Sequence, residues 1–216
     1  MESQLKFLLP VLFVGGLLLL VGWAFYSTRQ HSLRQREAWS AFAERRDWGY
    51  TARGSTLALN ILEAQGPHRG YQVSLLTEPR SHGRKRHMVT VLRVDLSNLV
   101  PPELALTPED RLRKLSGGKD AEQEDAKLGH AELDSALELQ GVTPRARELL
   151  QGGRVQKHLL KAHKAYAPFS IENGLLEAVQ RGVPETPEAL EALMAPALEL
   201  VDALDEAARE LKERRA

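Results

Sequence analysis

The sequence predicts an α+β protein, with an N-terminal transmembrane helix followed by a small antiparallel sheet with helices and a long C-terminal helix. Three patterns support this prediction. Residues 7–26 carry no charge, and side chains at 71–76 and 88–96 alternate in a strand-like manner. Apolar residues after Pro187 recur every three or four positions, as on one face of a helix.

The 216 residues divide into four predicted segments. Residues 1–28 are expected to form the transmembrane anchor, and residues 29–107 a membrane-proximal helix plus an antiparallel β-meander. Residues 108–130 are expected to form a charged linker, because 11 of the 20 residues from 108 to 127 are charged. Residues 131–216 are expected to form an α+β part that ends in the long helix.

The uncharged run FLLPVLFVGGLLLLVGWAFY at 7–26 is 20 residues long. At about 1.5 Å per residue, a helix of that length reaches roughly 30 Å, the thickness of the bilayer hydrocarbon core. A cleaved signal peptide is the alternative, but its apolar run is usually only about 7–15 residues. Five arginines follow the run within about 20 residues, whereas Lys6 alone precedes it. The pattern therefore predicts a single-pass protein of the inner (cytoplasmic) membrane with its folded part in the cytoplasm.

The composition narrows the classes of function. Lysine and arginine together number 29, as do aspartate and glutamate, so the formal net charge is zero. A balanced charge argues against a globally basic nucleic-acid-binding protein and against an acidic disordered chain. Because there is no cysteine, disulfides, cysteine-ligated metals and thiol nucleophiles are excluded.

The first half reads as one helix followed by three strands. A helix is expected at 28–48, and strands are expected at 57–63, 71–76 and 88–96. Turns are expected at 65–67 (Gln-Gly-Pro) and 79–83, since glycine and proline favour turns. Two adjacent prolines at 101–102 remove backbone donors and are expected to end the sheet.

The second half mixes short elements with the long helix. Residues 131–139 favour a strand, with a helix as the alternative, and helices are expected from Thr143 to about Gln151 and at 154–166. Asn173-Gly174 predicts a tight hairpin turn within 169–179. Pro196 is expected to kink or divide the helix that begins after Thr186. The apolar seam of that helix is expected to pack on the protein's own sheet, and coiled-coil self-association is the alternative.

The motifs of common catalytic and metal sites are missing from the sequence. It contains no P-loop, no GxGxxG, no GxSxG, no HExxH and no EF-hand loop, and its seven histidines are not paired at helical ligand spacing. We therefore predict no catalytic residues, no cofactor-binding residues, no metal ligands and no cofactor.

One basic cluster is a candidate for binding. Residues 80–87 read RSHGRKRH and place Arg80, Arg84, Lys85 and Arg86 between two predicted strands. Such a hairpin tip could bind an anionic surface, whether lipid headgroups or nucleic acid. Nucleic acid is the less favoured of the two, because aromatic side chains do not interleave the cations. The simplest interpretation is a solvated turn whose charges oppose edge-to-edge aggregation.

Several short patterns resemble those of an uncharacterised bacterial family of single-span membrane-anchored α+β proteins, a domain of unknown function. They are Trp39-x-x-Phe42-Ala43, Arg69-Gly70-Tyr71, Thr90-x-x-Arg93-Val94, Pro102-Glu-Leu104-Ala-Leu106-x-Pro108-Glu109, Asp134-x-x-Leu137-x-Leu139-x-Gly141 and Ile171-x-Asn173-Gly174-Leu175. The family typically has Asp-x-x-Phe where this chain has Leu137. The resemblance implies an architecture and no established activity.

These observations favour a membrane-tethered, non-enzymatic protein-interaction or scaffold module. Its expected partners are the lipid bilayer through residues 7–26 and an unidentified protein, with anionic lipid and a second copy of the chain as further alternatives. The competing hypotheses are a membrane-associated enzyme with an unrecognised active site, and anionic membrane-surface or nucleic-acid binding through residues 80–87.

Overall fold

The computed structural model describes residues 2–54, 61–82, 85–108 and 127–214, with side chains from Gly16 onward except at positions 82 and 85. Its helices are α1 (Glu2–Arg46), α2 (Ala131–Ala136), α3 (Pro144–Leu150), α4 (Gly153–Ala165) and α5 (Pro187–Glu213). Its strands are β1 (Gly49–Arg53), β2 (Ile61–His68), β3 (Tyr71–His82), β4 (Lys85–Asp95), β5 (Ala105–Pro108), β6 (Leu137–Gln140), β7 (Phe169–Glu172) and β8 (Leu175–Arg181).

The predicted transmembrane anchor is contradicted by the structure. Within the described ranges, no helix combines the length and the apolar character that crossing a membrane requires. The finding overturns the transmembrane part of the predicted fold class, the bilayer as partner of residues 7–26 and the single-pass inner-membrane location.

The rest of the predicted fold class, an α+β arrangement with an antiparallel sheet, is confirmed. Over the described residues, eight strands form one sheet in the order β1-β2-β3-β4-β8-β7-β5-β6, and each pair is antiparallel. Strand β8 pairs with β4 from Val89↔Arg181 to Asp95↔Leu175. The segments predicted at 29–107 and 131–216 therefore contribute strands to the same sheet.

The helices cover one face of this sheet. Alternate side chains of β4, such as Leu92 and Val94, join a large buried cluster, whose other members include Trp39 and Phe42 of α1, Leu75 of β3, Leu159 of α4, and Met194 and Leu204 of α5. The intervening side chains Val89 and Val91 point to the opposite face, where they form a small cluster with Val179. The core thus lies between the sheet and helices α1, α4 and α5.

The N-caps of two helices were predicted correctly. The hydroxyl of Thr143 accepts a hydrogen bond from the Ala146 N–H (3.1 Å) and begins α3, and the hydroxyl of Thr186 accepts one from the Ala189 N–H (3.1 Å) and begins α5. The predicted hairpin around Asn173-Gly174 is confirmed as β7 and β8, and both turn residues have positive φ. The predicted division at Pro196 is wrong, since α5 continues through that residue.

Two predicted turns lie inside strands instead. Gln65-Gly66-Pro67 belongs to β2. Of the turn predicted at 79–83, residues 79–82 belong to β3 and residue 83 lies outside the described residues. At Gly66 the glycine serves a close approach, because a Cβ there would lie 2.2 Å from Cδ1 of Trp48. The Trp48 indole N–H also donates to the carbonyl of Pro67 (3.2 Å). Packing of the tryptophan on the strand therefore explains the residues that resembled a turn.

Strands β1 and β5 were not predicted, and residues 131–139 divide between the two alternatives as helix α2 and strand β6. The first four residues of the strand predicted at 57–63, and most of the linker predicted at 108–130, lie outside the described residues. The described part of the strand predicted at 57–63, residues 61–63, begins β2.

Candidate functional site

An open groove of about 490 Å³ lies between helix α1 and strand β1. Its helical wall is formed by Arg36, Glu37, Ser40, Ala41 and Glu44, and its other wall by Tyr50 and Ala52. Tyr50 and Ala52 pair with Ala64 and Leu62 of β2, which are buried in the core cluster. The groove therefore lies on the helix-bearing face of the sheet, beside its first strand.

Strand β1 is an edge of the sheet. It pairs with β2 from Gly49↔Gln65 to Arg53↔Ile61, and among the described strands none pairs with its outer side. In an edge strand every second residue directs its N–H and C=O away from the sheet. Four of the five residues of β1 are exposed, and Tyr50 is half-buried. The groove thus runs along backbone groups that can pair with another extended chain.

Helix α1 is held firmly over this edge. Trp39 and Phe42 are fully buried, and the Phe42 ring packs edge-on against Trp48 with centroids 5.7 Å apart. The Arg46 guanidinium lies 5.4 Å from the centroids of both the Phe42 and Trp48 rings. Because one apolar cluster fixes both the helix and the start of β1, the width of the groove is set by the core.

Polar contacts fix the C-terminal part of α1 relative to β1 and α5. At the far end of β1, an Nη of Arg36 donates to the carbonyl of Gly54 (2.9 Å). On the other side of α1, Arg45 pairs with Glu188 of α5 (2.7 Å), and Arg46 forms two hydrogen bonds with Glu191. Helix α1 is therefore tied to both of its neighbours.

The walls of the groove combine small side chains with charges. Ser40, Ala41 and Ala52 leave room between the helix and the strand. Burial raises the pKa of the Tyr50 hydroxyl, although the positive charge of Arg36 opposes this, so the hydroxyl is neutral at physiological pH. Glu37 and Glu44 are exposed carboxylates along the helical wall. The groove can accommodate one or two side chains beside a strand-forming backbone.

Arg80, one of the predicted anion-binding residues, lies in an ion-pair network within the sheet. Arg80 pairs with Glu177 of β8 (3.0 Å) and with Glu78 (3.5 Å), and Arg93 pairs with the same two carboxylates (3.1 and 3.0 Å). These four residues form a closed, charge-balanced network. Arg80 is therefore engaged within the sheet.

The remaining residues of the basic cluster lie toward the β3–β4 hairpin tip. Arg86 is exposed, the side chain of Lys85 is not described, and Arg84 lies outside the described residues. Anionic-surface binding through Arg80, Arg84, Lys85 and Arg86 stays a prediction.

The network shifts the ionisation of its members. Burial alone would raise the pKa of Glu177, but hydrogen bonds and charges from Arg80 and Arg93 outweigh it and hold this pKa below its usual value. Burial alone would lower the pKa of Arg93. Hydrogen bonds and charges from Glu177 and Glu78 outweigh burial, so this pKa lies above its usual value. Glu177 and Arg93 therefore stay charged at neutral pH, as a structural cross-brace over three strands requires.

A second polar cluster joins the β2–β3 turn to α5. An imidazole nitrogen of His68 lies 2.9 Å from Asp202, and the Tyr71 hydroxyl donates to Asp205 (2.7 Å). Burial, together with this hydrogen bond, raises the pKa of Tyr71 to about 12. Arg209 also pairs with Asp205 (2.8 Å). We interpret the cluster as a brace, because each acidic group already contacts side chains of this chain.

No group of three or more metal-ligating side chains occurs in the part of the chain that the structure describes. The residues that line the groove were not predicted from the sequence. Strand β1 (GYTAR) is short and follows a helix directly, so periodicity gives it no signal. Tyr50-Thr51, two strand-favouring residues after the helix-ending Asp47-Trp48-Gly49, were the available indication.

No protein-family model matches the chain, and no curated protein matches it. Among solved structures, it resembles the mycobacterial trehalose monomycolate transport factor A, TtfA, with 11% sequence identity and a TM-score of 0.41. The match covers 79% of this chain and 94% of that one. A likeness of this strength carries no argument about function, and the resemblance to an uncharacterised bacterial family stays a prediction.

Proposed function

We propose that this protein is a non-enzymatic protein-interaction module that binds an extended segment of a partner protein by adding it as a strand beside β1. The observation that carries the proposal is the position of the groove. It runs along an edge strand whose outer backbone groups can pair with an added strand, and helix α1 forms its opposite wall. An edge strand facing a helix across a groove suits strand addition.

The energetics of such binding follow from the edge and the groove together. Each backbone hydrogen bond to the edge contributes a net of about 0.5–1.5 kcal/mol, and a strand as short as β1 allows only a few of them. Side chains of the added segment alternate, so that every second one points into the groove. Their burial against Ala41 and Tyr50 supplies the remaining affinity and the selectivity.

A peptide selection tests this proposal. The full-length protein is used to select from a random octapeptide library displayed on phage, and the enriched peptides are synthesised and their Kd measured by fluorescence anisotropy. We expect Ala41→Arg to weaken binding by about tenfold or more, because the larger side chain occupies the groove. The matched control is Ala192→Arg, an exposed alanine of α5 that does not line the groove.

The two variants make the outcome decisive. Peptides that bind the wild type and Ala192→Arg equally but bind Ala41→Arg poorly support strand addition at this site. Peptides that bind all three proteins equally contradict it, as does a selection that enriches no binding peptide. Circular dichroism melting of each variant establishes that the substituted proteins remain folded.

A further inference from the structure

We infer that the partner segment, added antiparallel to β1 like the strand pairs of the described sheet, carries a basic residue that pairs with Glu44, two positions after an apolar residue that sits over Ala41 and Ala52; this inference rests on the proposed function. The groove has a direction, because α1 runs antiparallel to β1. Glu44 lies near the start of β1, where the Trp48 N–H donates to the Ala43 carbonyl (2.9 Å). Arg36 lies at the other end, bound to the carbonyl of Gly54.

The spacing of the charged residues matches an extended chain. Glu44 and Arg36 are eight residues apart on the helix, which is about 12 Å. In an extended segment, groove-facing side chains recur about every 6.7 Å, so about three of them span this distance. The first lies by Glu44, the second over Ala41 and Ala52, and the third by Arg36.

The charges at the two ends differ. At the Arg36 end the cation is accompanied by Glu37, so the two charges offset each other. At the other end, Glu44 accepts a hydrogen bond from the Ser40 hydroxyl (3.2 Å), and no cation of the described residues lies within ion-pair distance of it. Its neighbours Arg45 and Arg46 are paired with Glu188 and Glu191. The negative charge of Glu44 is therefore available to a basic side chain of the partner.

Two defined peptides test the inference. The first is acetyl-Thr-Thr-Thr-Val-Thr-Lys-Thr-amide, in which threonine, valine and lysine share one face, and the second has glutamate in place of the lysine. With the full-length protein in low salt, we expect the lysine peptide to bind about three- to tenfold more tightly than the glutamate peptide. The reason is that the lysine forms an exposed ion pair with Glu44, whereas the glutamate is repelled by it. Glu44→Lys is expected to reverse this preference.

The control variant is Glu213→Lys at the exposed end of α5, which changes the net charge by the same amount away from the groove. A preference for lysine that survives Glu213→Lys and reverses in Glu44→Lys supports the inference. If the two peptides bind the wild type equally and neither binds Ala41→Arg, the charge preference is overturned and strand addition is still supported. Binding of either peptide that Ala41→Arg does not weaken contradicts both proposals, and so does failure of both peptides to bind at millimolar concentration.

Discussion

Replacing Gly141 by alanine is expected to lower the free energy of unfolding by about 3 kcal/mol or more. Gly141 follows β6 with φ of +63°, and a Cβ there would lie 1.9 Å from the carbonyl oxygen of Glu103. Glu103 lies two residues before β5, and β5 pairs with β6 through Ala105↔Gln140. The obstructing atom belongs to the backbone, so relief of the clash requires the edge of the sheet to move.

Two other glycines separate the causes of this effect. Gly70 also has positive φ (+92°), but a Cβ there would meet nothing within 4 Å, so Gly70→Ala is expected to cost only the backbone strain of about 1–2 kcal/mol. Gly153 begins α4 in open space, and Gly153→Ala is expected to be neutral or stabilising. Urea unfolding of the three variants checks this order. A Gly141→Ala protein no less stable than Gly70→Ala would contradict the close approach at Glu103.

Tyr166→Phe is expected to lower the free energy of unfolding by about 2–4 kcal/mol, although it removes one oxygen atom. The hydroxyl of Tyr166 donates to the carbonyl of Leu193 (2.5 Å) and accepts from the N–H of Ala197 (3.2 Å). These are the two groups that a regular helix joins directly, and they flank Pro196, whose ring crowds the preceding turn. Burial raises the pKa of Tyr166, so the hydroxyl keeps its proton at physiological pH.

A double-mutant cycle with Pro196→Ala tests this explanation. Alanine at 196 allows α5 to close its own hydrogen bonds, so the hydroxyl is less needed there. Tyr166→Phe should therefore cost at least about 1 kcal/mol less in the Pro196→Ala background, as measured by chemical denaturation. An equal cost in both backgrounds would contradict the link between the hydroxyl and Pro196, since the variant keeps the ring that stacks on Phe169.

The same tyrosine explains why the predicted division of α5 at Pro196 was wrong. Pro196 predicts a kinked or divided helix when only local geometry is considered. The helix continues because a side chain 30 positions away in the sequence inserts its hydroxyl next to the proline. Contacts of this kind have no local signal, whereas the caps at Thr143 and Thr186 depend on neighbouring residues and were predicted correctly.

The α+β class was predictable because strong alternation in β4 and the tight turn at Asn173-Gly174 are local features. Pairing between β4 and β8 was not predictable, since it joins residues 80 to 92 positions apart in the sequence. The anchor prediction depended on the uncharged run at 7–26, whereas no helix of the described residues is long and apolar enough to cross a membrane. Gly66 resembled a turn residue because its close contact with Trp48 has no signal in the local sequence.

The candidate groove was beyond sequence analysis for a similar reason. Its two walls come from α1 and from the short strand β1, and only the fold shows that β1 is an edge. The basic cluster at 80–87 was conspicuous in sequence, but the structure pairs Arg80 with Glu177, far along the chain. The density of positive charge in the sequence therefore did not indicate which of these cations are already paired with carboxylates of the same chain.

Hydrogen–deuterium exchange measured by mass spectrometry tests strand addition most directly. The full-length protein is compared with and without a saturating amount of the lysine peptide. We predict that amide exchange slows at Gly49–Arg53, because outward N–H groups of β1 gain partners, while the opposite edge strand, Leu137–Gln140, stays unchanged. Unchanged exchange at Gly49–Arg53 in the presence of bound peptide would contradict the proposed mode of binding.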